Sequence, residues 1–105
     1  MQTYTLTIDS RPDIRFNGTL IGAVSRTQKL TQHKTHLYLY KSAGGRYICY
    51  KRSISRWENE RIRSKGLMCK TFDDVIKFFG NDSLARSLYE KTRIVDTVEY
   101  DDIGV

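Results

Sequence analysis

Hydrophobic and polar side chains alternate along the first half of the chain, and this pattern predicts β-strands. Tyr4, Leu6 and Ile8 alternate with threonines in residues 3–9, which is the period-two pattern of a strand with one buried side. The polar segment 9–13 follows and contains Pro12, which lacks a backbone N–H and favours a turn. A first strand over residues 3–9 is therefore expected.

The same alternation continues through residues 14–24 and predicts a second, longer strand. Asn17-Gly18 is a strong hairpin signal, but a two-residue turn there would place Arg15 beside Leu20 on one side. A single strand avoids this, and Gly18 and Gly22 permit strong twist or a bulge within it. We expect its apolar face to carry Ile14, Phe16, Gly18, Leu20, Gly22 and Val24.

Residues 35–53 predict a β-hairpin around the turn Ser-Ala-Gly-Gly, and the loop length decides which side chains share a face. With an even-length loop, one face is mainly aliphatic: Leu37, Leu39, Ile48 and Tyr50. The other face is polar and aromatic: His36, Tyr38, Tyr40, Tyr47, Cys49 and Lys51. A three-residue loop with a left-handed glycine would exchange the faces of the second strand. The even loop separates the two kinds of side chain more cleanly, and we predict it.

From residue 71 the apolar spacing changes to that of a helix. One apolar stripe defines a helix over residues 72–79: Phe72, Val75, Ile76 and Phe79. Thr71 is a suitable N-cap, and Gly80 is suited to the residue that ends the helix. A second helix is expected to begin at Asp82 or Ser83 and to bury Leu84, Leu88 and Tyr89.

These elements together predict one α+β domain over residues 1–105. Residues 61–69 supply a fifth strand with Ile62 and Met68 facing inward, and residues 94–100 supply a short terminal strand. The expected architecture is a five-stranded antiparallel meander sheet with two short C-terminal helices covering one face. Its parts are a basic sheet (1–70), a helical pair (71–93), and a terminal strand and tail (94–105).

Charge is distributed unevenly along the chain, whose formal net charge is +6. Residues 26–70 contain twelve lysines and arginines against two acidic residues, whereas residues 71–105 contain four against eight. Cations on strand edges discourage sheet-to-sheet pairing, which is one explanation. The other is an electrostatic surface for an anionic partner.

Several classes of protein are disfavoured by the sequence. The longest apolar run, residues 20–24, is far shorter than the roughly 20 residues that cross a bilayer. Residues 1–13 lack the pattern of a signal peptide, so we expect a soluble, cytoplasmic protein. Cys49 and Cys69 match no common zinc spacing even with His33 and His36 added. Two buried, inert thiols are the favoured interpretation, and no metal or cofactor is predicted.

No catalytic motif for phosphate, dinucleotide, serine-hydrolase or zinc-protease chemistry is present. His33 and His36 suggest the acid–base pair of a small ribonuclease or toxin, but such a pair must flank one phosphate. His33 is expected in a loop, so two solvated histidines are favoured and an enzyme is not predicted.

The predicted hairpin instead suggests a binding surface. Aromatic rings flanked by cations can stack on exposed bases while the cations contact phosphates. The alternative is that the tyrosines pack beneath a loop or against the terminal strand. Tyr, Trp and Arg are also the usual anchors of protein interfaces, so a phage- or plasmid-borne inhibitor or regulator of an acidic host protein is the second hypothesis. The candidate binding residues are His36, Tyr38, Tyr40, Arg46, Tyr47, Lys51, Arg52, Arg56 and Trp57.

Two short segments carry a resemblance to a known group. Residues 16–21 (FNGTLI) and 39–47 (LYKSAGGRY) are similar to segments of small uncharacterised bacterial proteins of the EXLDI type. These segments consist mainly of strand and turn residues, and they carry no catalytic residues across. The resemblance implies a bacterial accessory or mobile-element origin.

Overall fold

The computed structural model describes residues 1–56 and 61–92. The predicted terminal strand, the tail and Trp57 lie outside the described residues. Five strands precede the helices: β1 (Gln2–Leu6), β2 (Ile14–Gln28), β3 (His33–Ser42), β4 (Tyr47–Ser55) and β5 (Arg61–Cys69). Helix α1 spans Phe72–Phe79, and helix α2 covers residues 83–92.

The strands form one antiparallel sheet in the order β1-β2-β3-β4-β5. This meander with two C-terminal helices confirms the predicted α+β fold. One side of the sheet, the helix face, packs against α1 and α2 through Leu37, Leu39, Cys49 and Cys69. The opposite side, the tyrosine face, carries Tyr4, Tyr38, Tyr40 and Tyr50. The described residues therefore form two apolar clusters, one on each side of the same sheet.

Strand β2 is a single strand through Asn17-Gly18, as predicted, but its alternation is interrupted. A bulge between Leu20 and Gly22 shifts the register with β3. Gly22 and Val24 therefore lie on the helix face, and the prediction that one face continues from residue 14 to 24 is wrong. A β-bulge inserts an extra residue on one strand, which exchanges the faces of everything after it.

The turn between β3 and β4 is the three-residue form that the prediction placed second. The Ser42 N–H donates to the Arg46 carbonyl at 2.8 Å, and Gly45 adopts φ 84°, the left-handed region. Leu39 consequently lies opposite Cys49, and Tyr40 lies opposite Ile48. The predicted even loop is wrong, and every side chain of β4 lies on the face opposite to the predicted one.

The helices cover the helix face through a few fully buried side chains. The Thr71 hydroxyl accepts from the Asp74 N–H at 3.3 Å, and the Gly80 N–H bonds the Ile76 carbonyl, so both predicted ends of α1 are confirmed. In α2 the predicted apolar positions are also buried. The side chains that close this cluster from the helical side are Val75, Leu84, Ala85, Leu88 and Tyr89.

The tyrosine face is closed on one side by the segment that follows β1. The Asp9 N–H donates to the Ser64 carbonyl at 3.0 Å, and the Ser64 N–H donates to the Asp9 carboxylate at 3.0 Å. These bonds bring the start of the chain against β5, so the sheet curls into a partial barrel. Ile62 and Met68 were predicted to face inward, but they are 48% and 46% exposed because β5 is the outermost strand.

Candidate nucleic-acid interface

The aromatic side chains of the tyrosine face form a continuous group. Tyr38 lies directly opposite Tyr50, with ring centroids 5.9 Å apart. Tyr40 follows Tyr38 along β3 at 6.4 Å, and Tyr4 of β1 approaches Tyr40 at 4.7 Å. Side chains on one face of neighbouring strands are close enough for such contacts. At the other end of the row, His36 stacks on Tyr38 with ring planes 14° apart.

A concave cavity of about 690 Å³ opens over these rings. We call it the tyrosine cradle. Its lining combines four tyrosines with the chain that curls over from β1 and with residues of β4 and β5. The residues that line it are Tyr4, Thr5, Leu6, Thr7, Asp9, Tyr38, Tyr40, Tyr50, Arg52, Ile62 and Ser64.

The four rings differ in how much of each reaches solvent. Tyr40 is 6% exposed and Tyr50 is 7% exposed, so both form the floor of the tyrosine cradle. Tyr4 and Tyr38 are half-buried and present part of their surface. A ligand could therefore stack on Tyr38 or Tyr4, together with His36, but not on all four tyrosines. This is a smaller aromatic surface than the sequence predicts.

The phenol groups supply hydrogen-bonding atoms to the cradle. The Tyr50 hydroxyl is occupied, because it donates to the Thr7 carbonyl at 2.8 Å. Burial, and then the neighbouring phenols of Tyr38, Tyr4 and Tyr50, raise the pKa of Tyr40 to about 12. Tyr40 therefore stays a neutral O–H group at physiological pH.

His36 and Arg52 lie opposite each other at the edge of this cradle. Partial burial, and then the positive charges of Lys34 and Arg52, hold the pKa of His36 below its ordinary value of 6.5. The imidazole is therefore neutral at pH 7, next to the positive charges of Lys34 and Arg52. This edge has the cations and the half-buried rings that an anionic, aromatic ligand requires.

Further cations extend this edge into a positively charged region, which we call the basic end. It extends from the middle of β4 and β5 to the ends of β2 to β5 that lie farthest from the β3–β4 turn, with their adjoining loops. Arg26 is the exception among its cations, since it forms an ion pair with Asp82 at 3.3 Å. No other lysine or arginine here forms an ion pair with an acidic side chain of the described residues. The basic end comprises Arg26, Lys29, Lys34, Lys51, Arg52, Arg56, Arg63 and Lys65.

The structure brings together some of the predicted binding residues and separates others. His36, Tyr38, Tyr40 and Arg52 share the tyrosine face. Lys51 lies on the helix face opposite Leu37.

Tyr47 also lies on the helix face, where its ring packs against Phe72 at 5.9 Å. The prediction that Tyr47 and Lys51 share a face with His36 is therefore wrong. Arg46 lies in the turn at the far end of the hairpin, and Arg56 directly follows β4.

Most of the residues that line the cradle are absent from the candidate binding residues of the sequence analysis, notably Tyr4, Tyr50 and Asp9. The sequence pattern assigns Tyr4 to an ordinary strand and Asp9 to a turn. It predicts the wrong face for Tyr50, together with the rest of β4. The alternation of β1 already placed Tyr4 with Leu6 and Ile8, so Tyr4 had a signal in the sequence. No local pattern indicates that Asp9 reaches β5, because Asp9 and its partner Ser64 are 55 positions apart in the sequence.

The geometry does not assemble the alternative chemistries that the sequence raised. His33 lies on the helix face opposite Ser55, whereas His36 lies on the tyrosine face, so the two histidines cannot flank one phosphate. The Sγ atoms of Cys49 and Cys69 are 3.7 Å apart, but His36 lies on the opposite side of the sheet from both thiols. Within residues 1–56 and 61–92, no group of three or more His, Cys, Asp or Glu side chains is placed to hold a metal ion.

Comparison with known protein families, with characterised proteins and with solved structures finds no match for this chain. Nothing in these comparisons indicates an enzymatic activity. In the described part of the chain, no helix is both long enough and apolar enough to cross a membrane.

Proposed function

We propose that this protein is a non-enzymatic module that binds single-stranded nucleic acid through the tyrosine cradle and the basic end. The observation that carries the proposal is the position of Arg52. It lines the cradle beside Tyr38 and Tyr50, and on the same face it lies opposite His36. Binding of single strands commonly combines stacking on aromatic rings with a cationic path for the backbone.

The shape of the cradle favours a single strand over a duplex. A concavity of about 690 Å³ accommodates one or two unstacked bases, since ligand cavities of this order hold a drug-sized molecule. Bases in a duplex are paired and stacked, so they cannot enter it without being flipped out. The exposed part of Tyr38 provides the stacking surface, and the neutral hydroxyl of Tyr40 provides a hydrogen bond.

The sugar–phosphate backbone of the bound nucleic acid would run along the basic end. Lys34 and Arg52 lie on the tyrosine face, next to the cradle. Arg63 and Lys65 lie on the helix face of the neighbouring strand and are exposed. Because acidic side chains of the described residues leave these four cations unpaired, phosphates do not have to displace existing ion pairs in order to bind.

The first test is the salt dependence of binding to labelled single-stranded DNA and RNA of about 20 nucleotides, measured by fluorescence anisotropy. If roughly four to six phosphates are contacted, the log of the association constant should fall with the log of salt at a slope of about −0.7 per contact. An affinity that does not change between low and physiological salt would remove the proposal.

The second test uses matched charge variants. Arg52→Gln should weaken binding and reduce the salt slope by about 0.7, because it removes one phosphate contact. Arg15→Gln removes the same charge from the first half of β2, away from the basic end, and should change neither quantity beyond error. Equal effects of the two variants would mean that only net charge matters and that no site exists.

The third test separates stacking from charge. Tyr38→Leu keeps an apolar side chain but removes the ring, and it should weaken single-strand binding by roughly 1–3 kcal/mol with little effect on duplex binding. Tyr40 is not used for this test, because its substitution would remove the proposed hydrogen bond to the base and also destabilise the fold in which its ring is buried. A Tyr38→Leu variant that binds single strands as well as the wild type would exclude base stacking.

The second candidate is an interaction module that docks on an acidic protein, such as a host protein inhibited or regulated by a phage- or plasmid-borne factor. It is favoured by the burial of Tyr40 and Tyr50, which leaves less ring surface for bases than the sequence predicts. A stoichiometric protein partner that survives nuclease treatment would support this function over the first. A bacterial accessory origin is compatible with either function.

A further inference from the structure

Strand β5 is the last strand of the sheet, and its outer edge is hydrogen-bonded to the rest of the described chain at only one residue. Ser64 is the paired residue, and Asp9 occupies both its N–H and its carbonyl. In an antiparallel strand, backbone groups point alternately toward one neighbour and the other. Because the groups of Ser64 point away from β4, those of Gly66 and Met68 point away from β4 as well. Within residues 1–56 and 61–92, this part of β5 therefore offers a row of backbone donors and acceptors that no other described segment pairs.

Exposed apolar side chains accompany this edge. Leu67 is 42% exposed and Met68 is 46% exposed. A cavity of about 480 Å³ runs along the edge, with Ile8 on one side and Phe78 of α1 on the other, over Gly66 and Leu67. An edge strand with adjacent apolar concavities is the arrangement that receives an added strand, because backbone bonds give affinity and the concavities select alternate side chains.

The charges around the edge indicate the chemistry of the occupant. Arg11, Arg63 and Lys65 border the cavity, and Lys77 borders a second cavity that continues past Leu67. The acidic side chains among the lining residues are Asp9, which already binds Ser64, and Asp74. A second copy of the chain would bring the same cations against one another, and like charges across paired strands destabilise the pair.

We propose that the edge of β5 at Gly66–Met68 binds an extended, acidic segment of a partner protein as a sixth strand. Apolar side chains at alternate positions of the segment enter the cavity between Ile8 and Phe78. Acidic side chains of the same segment face Arg63 and Lys65. This site shares Arg63 and Lys65 with the basic end, but it lies on the outer edge of β5 and contains none of the tyrosines of the cradle. Binding of the segment therefore does not depend on the proposed binding of nucleic acid.

A defined peptide provides the probe. An eight-residue synthetic peptide that alternates valine with aspartate or glutamate is titrated into the full-length, isotope-labelled protein, and amide chemical shifts are followed by NMR. The expected result is that the largest shifts occur at Gly66, Leu67 and Met68, with saturable binding. The same peptide with lysine in place of every acidic residue should bind at least tenfold more weakly.

Two variants test the edge itself. Met68→Pro removes an outward N–H, which an edge strand tolerates, and should reduce peptide affinity at least tenfold while oligonucleotide binding is unchanged. Leu67→Asp places a negative charge beside the cavity and should also reduce peptide affinity at least tenfold, so the test remains if Met68→Pro fails to fold. Leu30→Asp is the control, since Leu30 is exposed in the loop after β2.

Three results would overturn the proposal. The first is equal binding of the acidic and the lysine peptides, and the second is a set of shifts centred away from β5. The third is self-association through this edge, seen as a concentration-dependent increase in mass by sedimentation that Met68→Pro abolishes, because it would identify the occupant as a second copy.

Discussion

Asp9 and Ser64, 55 residues apart in the chain, exchange two hydrogen bonds of 3.0 Å that join the segment after β1 to β5. One bond uses the backbone of both residues, and the other uses the Asp9 carboxylate. This contact is accompanied by packing of Ile8 against Gly66, whose added Cβ would lie 2.9 Å from the Ile8 Cδ1 atom. It curls the sheet and gives the tyrosine cradle its wall.

Removal of the Asp9 carboxylate should therefore destabilise the protein. Asp9→Ala leaves the part-buried Ser64 N–H without its acceptor, and we expect the free energy of unfolding to fall by roughly 1–2 kcal/mol. Asp9→Asn keeps an oxygen that can accept the same bond and should cost less. Urea denaturation monitored by circular dichroism measures both, and an equal loss for the two variants would contradict the role of that bond.

Gly18 should not tolerate a side chain. A Cβ at this position would clash with the Lys41 carbonyl oxygen, and the backbone of a paired strand cannot easily move away. Gly18→Ala should lower the midpoint of thermal unfolding or prevent folding. Gly44→Ala is the control in the neighbouring turn, because its Cβ would meet only the Ser42 hydroxyl at 3.8 Å. Comparable melting temperatures for the two variants would contradict the close approach of β2 to β3.

The helices should contribute unequally through their apolar side chains. Leu88 of α2 is fully buried, so Leu88→Ala should cost about 2–5 kcal/mol of unfolding free energy. Phe79 of α1 is only half-buried, so its truncation should cost less than the roughly 3–5 kcal/mol that a fully buried phenylalanine costs. Chemical denaturation with an unchanged m-value is the appropriate measurement. A larger loss of unfolding free energy for Phe79→Ala than for Leu88→Ala would contradict the finding that Leu88 is the more deeply buried of the two.

Acidification should have opposite effects on stability and on anion binding through His36. Its pKa is below 6.5 in the folded protein because of burial and the charges of Lys34 and Arg52. The unfolded chain therefore binds a proton at His36 more readily than the folded protein does. The stability that the neutral imidazole contributes is complete above pH 6.5, and it is lost as pH falls through the pKa of His36 in the folded protein. A phosphate near His36 favours the imidazolium, so affinity for single strands should rise over the same interval.

His36→Gln provides the control for this pH dependence. It should flatten both trends between about pH 5 and 8, where histidine is the side chain that ordinarily titrates. The variant keeps His33 on the helix face, so it distinguishes pH dependence that comes from His36 on the tyrosine face from pH dependence of any other origin. Unchanged pH profiles in His36→Gln would assign the effect to another group.

The two thiols should be unreactive in the folded protein. Cys49 and Cys69 are buried, and burial is the largest of the effects that raise the pKa of each thiol above its ordinary value. Since the thiolate is the reactive form, a thiol reagent at pH 8 should modify the native protein slowly and both residues rapidly in urea. Rapid modification without denaturant would show that this part of the core opens readily.

Local patterns predicted most of the fold. The alternation in β1, the stripe of α1 and the cap at Thr71 depend on neighbouring residues alone, and all three are confirmed. The candidate site was only partly predicted. Four of the predicted site residues lie together on the tyrosine face: His36, Tyr38, Tyr40 and Arg52. Two others, Tyr47 and Lys51, lie on the helix face instead.

The errors come from single residues that shift the register of everything after them. Because side chains alternate with a period of two, one extra residue in the turn at Gly45 or in the bulge after Leu20 exchanges two faces completely. The separation of aliphatic from aromatic side chains favoured the even loop, but both faces of this sheet are apolar. That criterion could not distinguish the two turns.

The sequence by itself determined which segments become strands and helices, where α1 begins and ends, and that residues 26–70 carry the positive charge. Only the tertiary structure decided which side chains share a face and that the sheet curls until Asp9 reaches Ser64. The physical reason is range. Periodicity and capping act between residues a few positions apart, whereas pairing register and closure depend on contacts between strands whose partners the chain order does not specify.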